Sequence, residues 1–212
     1  MCGVIGYFSE KPKAIHKEIL ANILLESRIR GLHSFGVACG YPGKELRVEK
    51  FFKVASARNF IRKCDYSLLI AHTRYSTSGD WKVLENNQPV VVGNNLLVFN
   101  GVIRMSTKKE YEKEFGEKYK TDNDGEIMLK LLVDKKKGMV KDVLGDDRVS
   151  YAGIHYVGGK AYVMRNSRRP LWHFWNEDMS LVFSTFDIGK RALGAEMSFF
   201  EKDEVTEQFK LC

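Results

Sequence analysis

The sequence lacks the patterns that mark several classes of protein. Its four cysteines are scattered, with no Cys-x-x-Cys pair and no histidine cluster, so neither a zinc site nor a disulfide framework is indicated. No apolar run approaches the roughly 20 residues that a membrane-spanning helix needs, and the first residues lack the basic and apolar segments of a signal peptide. We therefore expect a cytoplasmic protein without membrane association.

Nucleotide and metal motifs are missing as well. The sequence has no Walker-type glycine loop and no dinucleotide fingerprint, and His16, His155 and His173 show no ligand spacing. We expect no metal and no cofactor. Because repeats, low-complexity tracts and linker-like segments are also missing, we expect a single domain over residues 1–212, with about 196–212 as a C-terminal extension.

Positive charge is in modest excess. The 34 basic and 27 acidic residues give a net charge of +7, with local clusters at Lys135–Lys137 and at Arg165, Arg168 and Arg169. Such charge attracts nucleic acid or an acidic protein. Basic residues spread among acidic ones are more typical of a solvated surface, so nucleic acid is not favoured as a direct ligand.

Hydrophobic periodicity predicts strands near 2–8, 34–40, 46–53, 67–73, 96–99, 151–157, 161–165, 171–175 and 181–184. It predicts helices near 12–28, near 56–64 with Ser56 as the cap, over 107–115 behind a capping box, and after Asp122–Asp124. A long irregular connection is expected from Ser76 to Asn95, and the strand at 96–99 is expected to stop at Asn100-Gly101. Gly158-Gly159 is expected to form a hairpin turn. The order favours an α+β fold with mainly antiparallel sheets covered by helices.

A cysteine at position 2 is the first sign of chemistry. Removal of Met1 would leave the Cys2 thiol and a free α-amino group on one residue, so nucleophile and base would be built in together. An α-amino group has a reference pKa of about 7.7–8.0, so part of it is neutral near pH 7 and can take the thiol proton. By itself, however, a cysteine in an apolar strand is more often a small buried residue.

Five segments together resemble a known family. Their order and spacing are similar to those of class II glutamine amidotransferase domains, as in glucosamine-6-phosphate synthase and glutamine phosphoribosylpyrophosphate amidotransferase. The resemblance runs from residue 2 to about 190. The segments are Cys2-Gly-Val-Ile-Gly, Arg30-Gly-Leu-His-Ser-Phe-Gly, His72-Thr-Arg, Asn100-Gly-Val-Ile and Asp122-Asn-Asp-Gly-Glu. The resemblance implies a four-layer αββα sandwich of the N-terminal-nucleophile hydrolase type.

The same resemblance assigns the catalytic roles. It implies that Cys2, with its α-amino group as base, attacks the side-chain amide of glutamine, forms a γ-glutamyl thioester and releases ammonia. Asn100 and the backbone N–H of Gly101 are implied as the donors that stabilise the oxyanion, which suits an amide and a glycine that allows close approach. Arg30 matches an arginine beside the terminal cysteine, where a cation helps to hold a thiolate.

Substrate binding is implied for a second group of residues. Arg74 matches the arginine that grips the α-carboxylate of glutamine, a task suited to a planar fork of donors. Asp124 matches the acid that receives the α-ammonium, although an aspartate at a helix start is often only a cap. Tyr75, Thr77 and Gly79 fall in the loop that closes over the substrate.

Four positions depart from the family pattern. Tyr75 stands where the compared members carry tryptophan, Ser78 where they carry histidine, Phe99 where histidine is common and His33 where aspartate is common. None of these is the nucleophile or an oxyanion donor. The Tyr75 and Ser78 departures leave open how the loop closes and how it communicates with an acceptor site, whereas Phe99 and His33 indicate a distant branch with changed neighbours around the site.

The function that follows is that of an enzyme, a glutaminase subunit that delivers ammonia from L-glutamine to an acceptor (synthase) protein on a separate chain. Three alternatives stay open. They are a hydrolase of other γ-glutamyl amides, a non-catalytic glutamine-binding module, and a basic nucleic-acid-binding protein.

Overall fold

Twelve strands and four α-helices make up the described part of the chain. The computed structural model describes residues 1–103, 105–134, 145–146, 148–184, 198–199 and 209–210. The strands are β1 (Gly3–Phe8), β2 (Ser34–Gly40), β3 (Arg47–Phe51), β4 (Leu68–Arg74), β5 (Val90–Val92), β6 (Asn95–Val102), β7 (Ser150–Val157), β8 (Lys160–Arg165), β9 (Trp172–Trp175), β10 (Ser180–Phe183), β11 (Ser198–Phe199) and β12 (Phe209–Lys210). The helices are α1 (Ala14–Glu26), α2 (Val54–Lys63), α3 (Lys108–Phe115) and α4 (Gly125–Val133), with 3₁₀ turns at Ser27–Arg30 and Leu84–Asn86.

The strands form two antiparallel sheets. The first has seven strands in the order β11-β9-β10-β1-β4-β2-β3, and the second has five in the order β12-β8-β7-β6-β5. In the first sheet, β1 lies between β10 and β4. The chain start is thereby placed in the centre of a sheet.

Period-two alternation along β1 and β4 explains how the sheets stack. Ile5 and Tyr7 of β1 belong to a core shared with α1 and α2, whereas Val4 belongs to a second core between the two sheets. A third core joins α4 and α3 to the outer face of the second sheet, with Phe99 of β6 among its members. The layers are therefore helices, sheet, sheet and helices, which confirms the predicted α+β sandwich.

Most predicted elements are found within two or three residues of their expected bounds, and the differences have local causes. Ser56 lies inside α2, whose N-cap is Lys53. The connection after Ser76 is not irregular throughout, since it contains a 3₁₀ turn and β5. The hairpin turn at Gly158-Gly159 is confirmed, with φ values of 60° and 80°. The Lys135–Lys137 cluster and Cys212 lie outside the described residues.

The prediction that β6 stops at Asn100-Gly101 is wrong. The strand continues to Val102, and Gly101 pairs with Tyr151 of β7. Pairing along a whole neighbouring strand overrides the turn preference of an Asn-Gly pair.

None of the helices in the described ranges has both the length and the apolar content needed to cross a membrane.

Candidate active site

Cys2 lies just before β1, at the strand end where the first sheet contacts the second. Its backbone nitrogen donates a hydrogen bond of 3.0 Å to Oδ1 of Asn100, which belongs to β6 in the other sheet. Cys2 and the predicted oxyanion asparagine are thus in direct contact, although 98 residues separate them in the sequence.

The neighbours of Gly3 fix the position of Cys2. The Gly3 N–H donates to the hydroxyl of Thr73 at 3.1 Å, and that hydroxyl donates to the carbonyl of Ser27 at 2.9 Å. A Cβ on residue 3 would lie 2.4 Å from the Thr73 hydroxyl oxygen, so only glycine allows this approach. Two buried hydrogen bonds therefore anchor the start of β1 beside β4.

Asn100 has an unpaired donor. Its side chain is 1% exposed, and because its Oδ1 accepts from a backbone N–H, the orientation of the amide is defined. Within the described part of the chain, Nδ2 has no hydrogen-bond partner. An unsatisfied buried donor costs about 1–3 kcal/mol, so a group that it can serve is expected nearby.

Gly101 follows Asn100 in the ladder. A Cβ there would lie 1.8 Å from the carbonyl oxygen of Ser150 on β7. Glycine at this position is required by the approach of the two strands, a reason that the sequence does not reveal.

The sulfur of Cys2 contacts both polar groups of the Tyr75 backbone, the N–H and the carbonyl. The Tyr75 N–H donates to Sγ at 3.4 Å, and the thiol donates to the Tyr75 carbonyl, also at 3.4 Å. Burial raises the pKa of the Cys2 thiol, whereas the Tyr75 N–H, the N-terminal charge and then Arg74 and Arg30 lower it. Burial is the largest of these effects, so the pKa of the Cys2 thiol is raised overall.

Arg30 contacts the main chain of Cys2. Its Nε donates to the carbonyl oxygen of Cys2 at 2.9 Å, and its Nη2 lies 3.6 Å from the sulfur of Met1. Arg30 therefore holds the main chain at Cys2 as well as supplying positive charge.

Arg74, at the end of β4, is buried and binds its own loop. Its guanidinium donates to the carbonyl of Asn86 at 2.5 Å, to Oδ1 of Asn87 at 2.6 Å and to the carbonyl of Ser78. Burial lowers the pKa of Arg74, while the charges of Cys2 and then Asp124 raise it. The arginine thus interacts electrostatically with both Cys2 and the predicted ammonium receptor Asp124.

Asn86 joins this loop to the turn before α4. Its Nδ2 donates to Asp122 Oδ2 at 3.3 Å, its Oδ1 accepts from the Asp122 N–H at 2.9 Å, and its carbonyl accepts from Asn123 Nδ2 at 3.0 Å. Asn86 was not predicted as a site residue from the sequence. The only signal there is a polar pair before Gln88-Pro89, which is indistinguishable from an ordinary loop.

Asp124, the predicted receptor of the substrate ammonium, ends that turn at the N-cap position of α4. Its Oδ1 accepts from the hydroxyl of Ser78 at 3.1 Å and its Oδ2 from the N–H of Ile103 at 2.7 Å. The side chain makes no capping hydrogen bond to α4. Ser78, which departs from the family pattern, therefore lies directly against the predicted ammonium receptor.

Thr77 and Gly79 line a cleft of about 310 Å³ beside Asp124. Its other lining residues are Ser78, Met105, Ser106, Thr107, Lys108 and Asp122. A larger cleft of about 500 Å³ lies between the edge strands β3 and β5, but its lining contains no nucleophilic side chain. Of these two clefts, the smaller one adjoins the predicted site through Thr77, Ser78 and Gly79.

All nine predicted site residues thus lie along one path across the edge of the sandwich. Asn100, Arg30 and Tyr75 each contact Cys2 directly. Arg74, Ser78 and Asp124 connect them to the cleft. Among the residues described, no group of three or more His, Cys, Asp or Glu side chains is arranged to hold a metal ion.

In this structure a cysteine just before a central strand contacts an asparagine of the second sheet inside an αββα sandwich, the fold type of the N-terminal-nucleophile hydrolases. Several known proteins are similar to the chain. The glutamine–fructose-6-phosphate aminotransferase (isomerizing) of Rhizobium leguminosarum bv. viciae is 32% identical over 135 residues, which cover 62% of this chain and 22% of that protein. No protein-family model matches the chain.

Two solved structures share the fold. The glutamine phosphoribosylpyrophosphate amidotransferase of B. subtilis superposes with a TM-score of 0.71 at 21% identity, covering 93% of this chain and 44% of that one. A glutamine aminotransferase class-II domain protein from Silicibacter pomeroyi gives a TM-score of 0.53 at 13% identity, covering 86% of this chain and 88% of that one.

These comparisons confirm the predicted resemblance to class II glutamine amidotransferase domains and the predicted fold. They also support the prediction that the chain is an enzyme of this class. The chain spans 22% of the length of the Rhizobium relative.

Proposed function

We propose that the chain hydrolyses L-glutamine to glutamate and ammonia through a γ-glutamyl thioester on Cys2. The observation that carries this proposal is the unpaired Nδ2 of Asn100 beside the cysteine. A buried donor without a partner is explained if a substrate oxygen that gains negative charge accepts its hydrogen bond.

The reaction uses groups that already lie together. After removal of Met1, the nitrogen that now bonds to Asn100 becomes the α-amino group of Cys2, within reach of its own thiol. This amine takes the thiol proton, the sulfur attacks the side-chain carbonyl carbon, and the carbonyl oxygen becomes an oxyanion facing Asn100 Nδ2. The amine returns the proton to the leaving nitrogen, so ammonia departs, and water then cleaves the thioester to glutamate.

The charges of the site suit a free amino acid. Arg74 and Asp124 would receive the α-carboxylate and the α-ammonium, and the cleft at Thr77 and Gly79 adjoins them. Arg74 now directs its donors at carbonyl groups of the loop, so substrate binding would exchange some of these contacts for the carboxylate. The name of the Rhizobium relative includes glutamine, which supports glutamine as the substrate of this chain.

We further propose that an acceptor enzyme on a separate chain consumes the ammonia. Ammonia released into water near neutral pH is protonated and lost as a nucleophile, so a glutaminase site of this kind needs a coupled acceptor. Cross-linking and co-purification, combined with an ammonia assay, test this. Undiminished ammonia release by the isolated protein, with no partner recovered, would contradict it.

The test of the glutaminase proposal is the intact mass of the untagged protein before and after treatment with 6-diazo-5-oxo-norleucine, an electrophilic analogue of glutamine. We expect loss of Met1 and one adduct on Cys2, together with ammonia release from glutamine. Other γ-glutamyl amides should be turned over more slowly; faster turnover would favour the hydrolase alternative.

Two controls define the result. Cys2→Ala should keep its fold and bind glutamine without forming the adduct or releasing ammonia. A fusion that keeps residues ahead of Cys2 should also be unreactive until a protease exposes the cysteine, because the blocked nitrogen cannot act as the base. Equal turnover by the Cys2→Ala variant would rule out the proposed nucleophile.

A further inference from the structure

His33 lies against the same two peptide groups that touch the sulfur of Cys2. It follows the 3₁₀ turn that carries Arg30 and comes just before β2. Its main-chain N–H donates to the carbonyl of Arg74 at 2.9 Å. Its ring nitrogen Nδ1 accepts from the N–H of Ser76 at 2.9 Å. Because a backbone N–H only donates, this contact also defines the tautomer, with the proton on Nε2.

Each of these contacts fixes one peptide plane. The Arg74 carbonyl and the Tyr75 N–H belong to one peptide group, and the Tyr75 carbonyl and the Ser76 N–H belong to the next. In a planar trans peptide the C=O and N–H point in opposite directions. His33 therefore holds the outer polar atom of both groups, while the inner atoms, the N–H and the carbonyl of Tyr75, face Cys2 Sγ.

Aromatic packing supports the same arrangement. The His33 ring stacks on Tyr75 on one side, with centroids 5.0 Å apart and 22° between planes, and on Trp81 on the other, at 5.0 Å and 13°. Tyr75 is 52% exposed, so stacking on His33 restrains a ring that solvent would otherwise leave mobile.

We propose that His33 is a positioning residue for the nucleophile. Its Nδ1 orients the peptide between Tyr75 and Ser76, so that the Tyr75 carbonyl holds the thiol of Cys2 in line for attack. This inference rests on the proposed function and adds to it a residue outside the catalytic set. Of the two hydrogen bonds, only the Nδ1 contact depends on the side chain, since the main-chain bond to Arg74 survives any substitution except proline.

The test compares three variants at position 33. His33→Ala removes both the acceptor and the ring, His33→Phe keeps a stacked ring without the acceptor, and His33→Asn places an amide oxygen near the position of Nδ1. His33→Ala and His33→Phe should lower kcat and the rate of labelling by the diazo-oxo-norleucine by between about tenfold and a hundredfold, with a smaller change in KM. His33→Asn should recover most of this loss.

Two further measurements separate positioning from loss of structure. Alkylation of Cys2 by iodoacetamide needs no positioned substrate, so it should change less than about threefold in the same variants. His173→Ala is the matched control, because it removes a histidine stacked on Trp175 at 4.6 Å on β9, and it should label at the wild-type rate.

The outcomes are distinguishable. A labelled wild type with equal labelling of all three variants would overturn the role of His33 and leave the glutaminase proposal standing. That role is likewise overturned if His33→Asn is as impaired as His33→Ala. A processed wild type that is alkylated by iodoacetamide but never labelled by the glutamine analogue would overturn the proposed function, and this inference with it.

Discussion

The two ends of the Asn100 side-chain amide differ in their hydrogen bonding. Its oxygen is bound to the nitrogen of Cys2, whereas its Nδ2 is buried and has no partner among the described residues. The resting protein bears the free-energy penalty of that donor, and in the proposed reaction the donor is satisfied only when an oxyanion forms. Interactions made in the transition state alone raise kcat and leave KM nearly unchanged.

This predicts the effect of Asn100→Ala. Removing one oxyanion donor should lower kcat for ammonia release by about a hundredfold to a thousandfold, with a KM for glutamine close to that of the wild type. Steady-state ammonia assays on both proteins measure it. A matched control is Asn95→Ala, at the start of the same strand, whose amide donates to the Val92 carbonyl and accepts from the Gly158 N–H. Asn95→Ala should keep full activity, and an equal loss in both variants would exclude the oxyanion role.

Sequence order alone is enough to nominate Cys2, Asn100 and Arg74, because their motifs keep the order and spacing of a known family. It cannot nominate Asn86 or show what His33 binds. The contact of Asn86 with Asp122 spans 36 residues, and that of His33 with Ser76 spans 43. Both join a side chain to a segment whose place is set only by the packing of the sheets.

The segment between β4 and β5 is the element that shapes the cleft. Arg74 holds it from the inside through the Asn86 and Ser78 carbonyls, and Asn86 ties it to the turn before α4. The predicted substrate residues Thr77 and Gly79 lie on this segment, and Asp124 on that turn. Their separation therefore depends on the hydrogen bonds of Asn86.

Asn86→Ala should loosen this connection. We expect the KM for glutamine to rise by about tenfold or more, with a smaller change in kcat, because the nucleophile and Asn100 are held by other contacts. The free energy of unfolding should fall by about 1–3 kcal/mol, since buried partners are left unpaired. Asn22→Ala, which removes a contact with Arg58 on the exposed face of α1, should change neither KM nor kcat. An unchanged KM in Asn86→Ala would show that the segment does not shape the substrate site.

The sequence predicts those features of helices and strands that depend on interactions between residues close together in the chain. The capping box at Thr107 and Glu110 is present as expected, because its bonds are made within one turn of α3. The end of β6 and the strand β5 were not predicted correctly, because both depend on pairing: Gly101 with Tyr151, and Val90 with Leu97. Partner strands stabilise these residues in extended form whatever their local preference.

Two of the hydrogen bonds that connect the two sheets lie at the predicted site or next to it. Cys2 binds Asn100, and the His72 Nε2 lies 3.1 Å from the carbonyl of Phe99. His72 is fully buried, and burial lowers its pKa to about 3. His155, on β7, is also buried, and burial lowers its pKa to about 4. Both imidazoles are therefore neutral in the folded protein over most of the acid range.

Buried neutral histidines make the stability of the whole molecule depend on pH. In the unfolded chain each imidazole titrates near its ordinary pKa of about 6.5, so below that pH the unfolded state binds protons that the folded state does not. The stability that the neutral histidines contribute is present above a pH of about 6.5. It is lost as the pH falls toward their pKa values in the folded protein, which are about 4 for His155 and about 3 for His72. Each group contributes a loss of about 1.4 kcal/mol per pH unit within its window.

His155 offers the cleaner test, because it lies outside the predicted site and neither of its ring nitrogens has a partner in the described structure. His155→Phe should reduce the loss of unfolding free energy between pH 7 and pH 5 by about 2 kcal/mol, measured by urea denaturation at each pH. Any change in packing should shift the stability equally at both pH values and cancel in the difference. Tyr162→Phe, which alters the ring 5.1 Å from His155 and keeps the imidazole, should retain the full acid loss. If His155→Phe lost as much stability as the wild type on acidification, the imidazole would have to be charged, or reach solvent, in the folded sandwich.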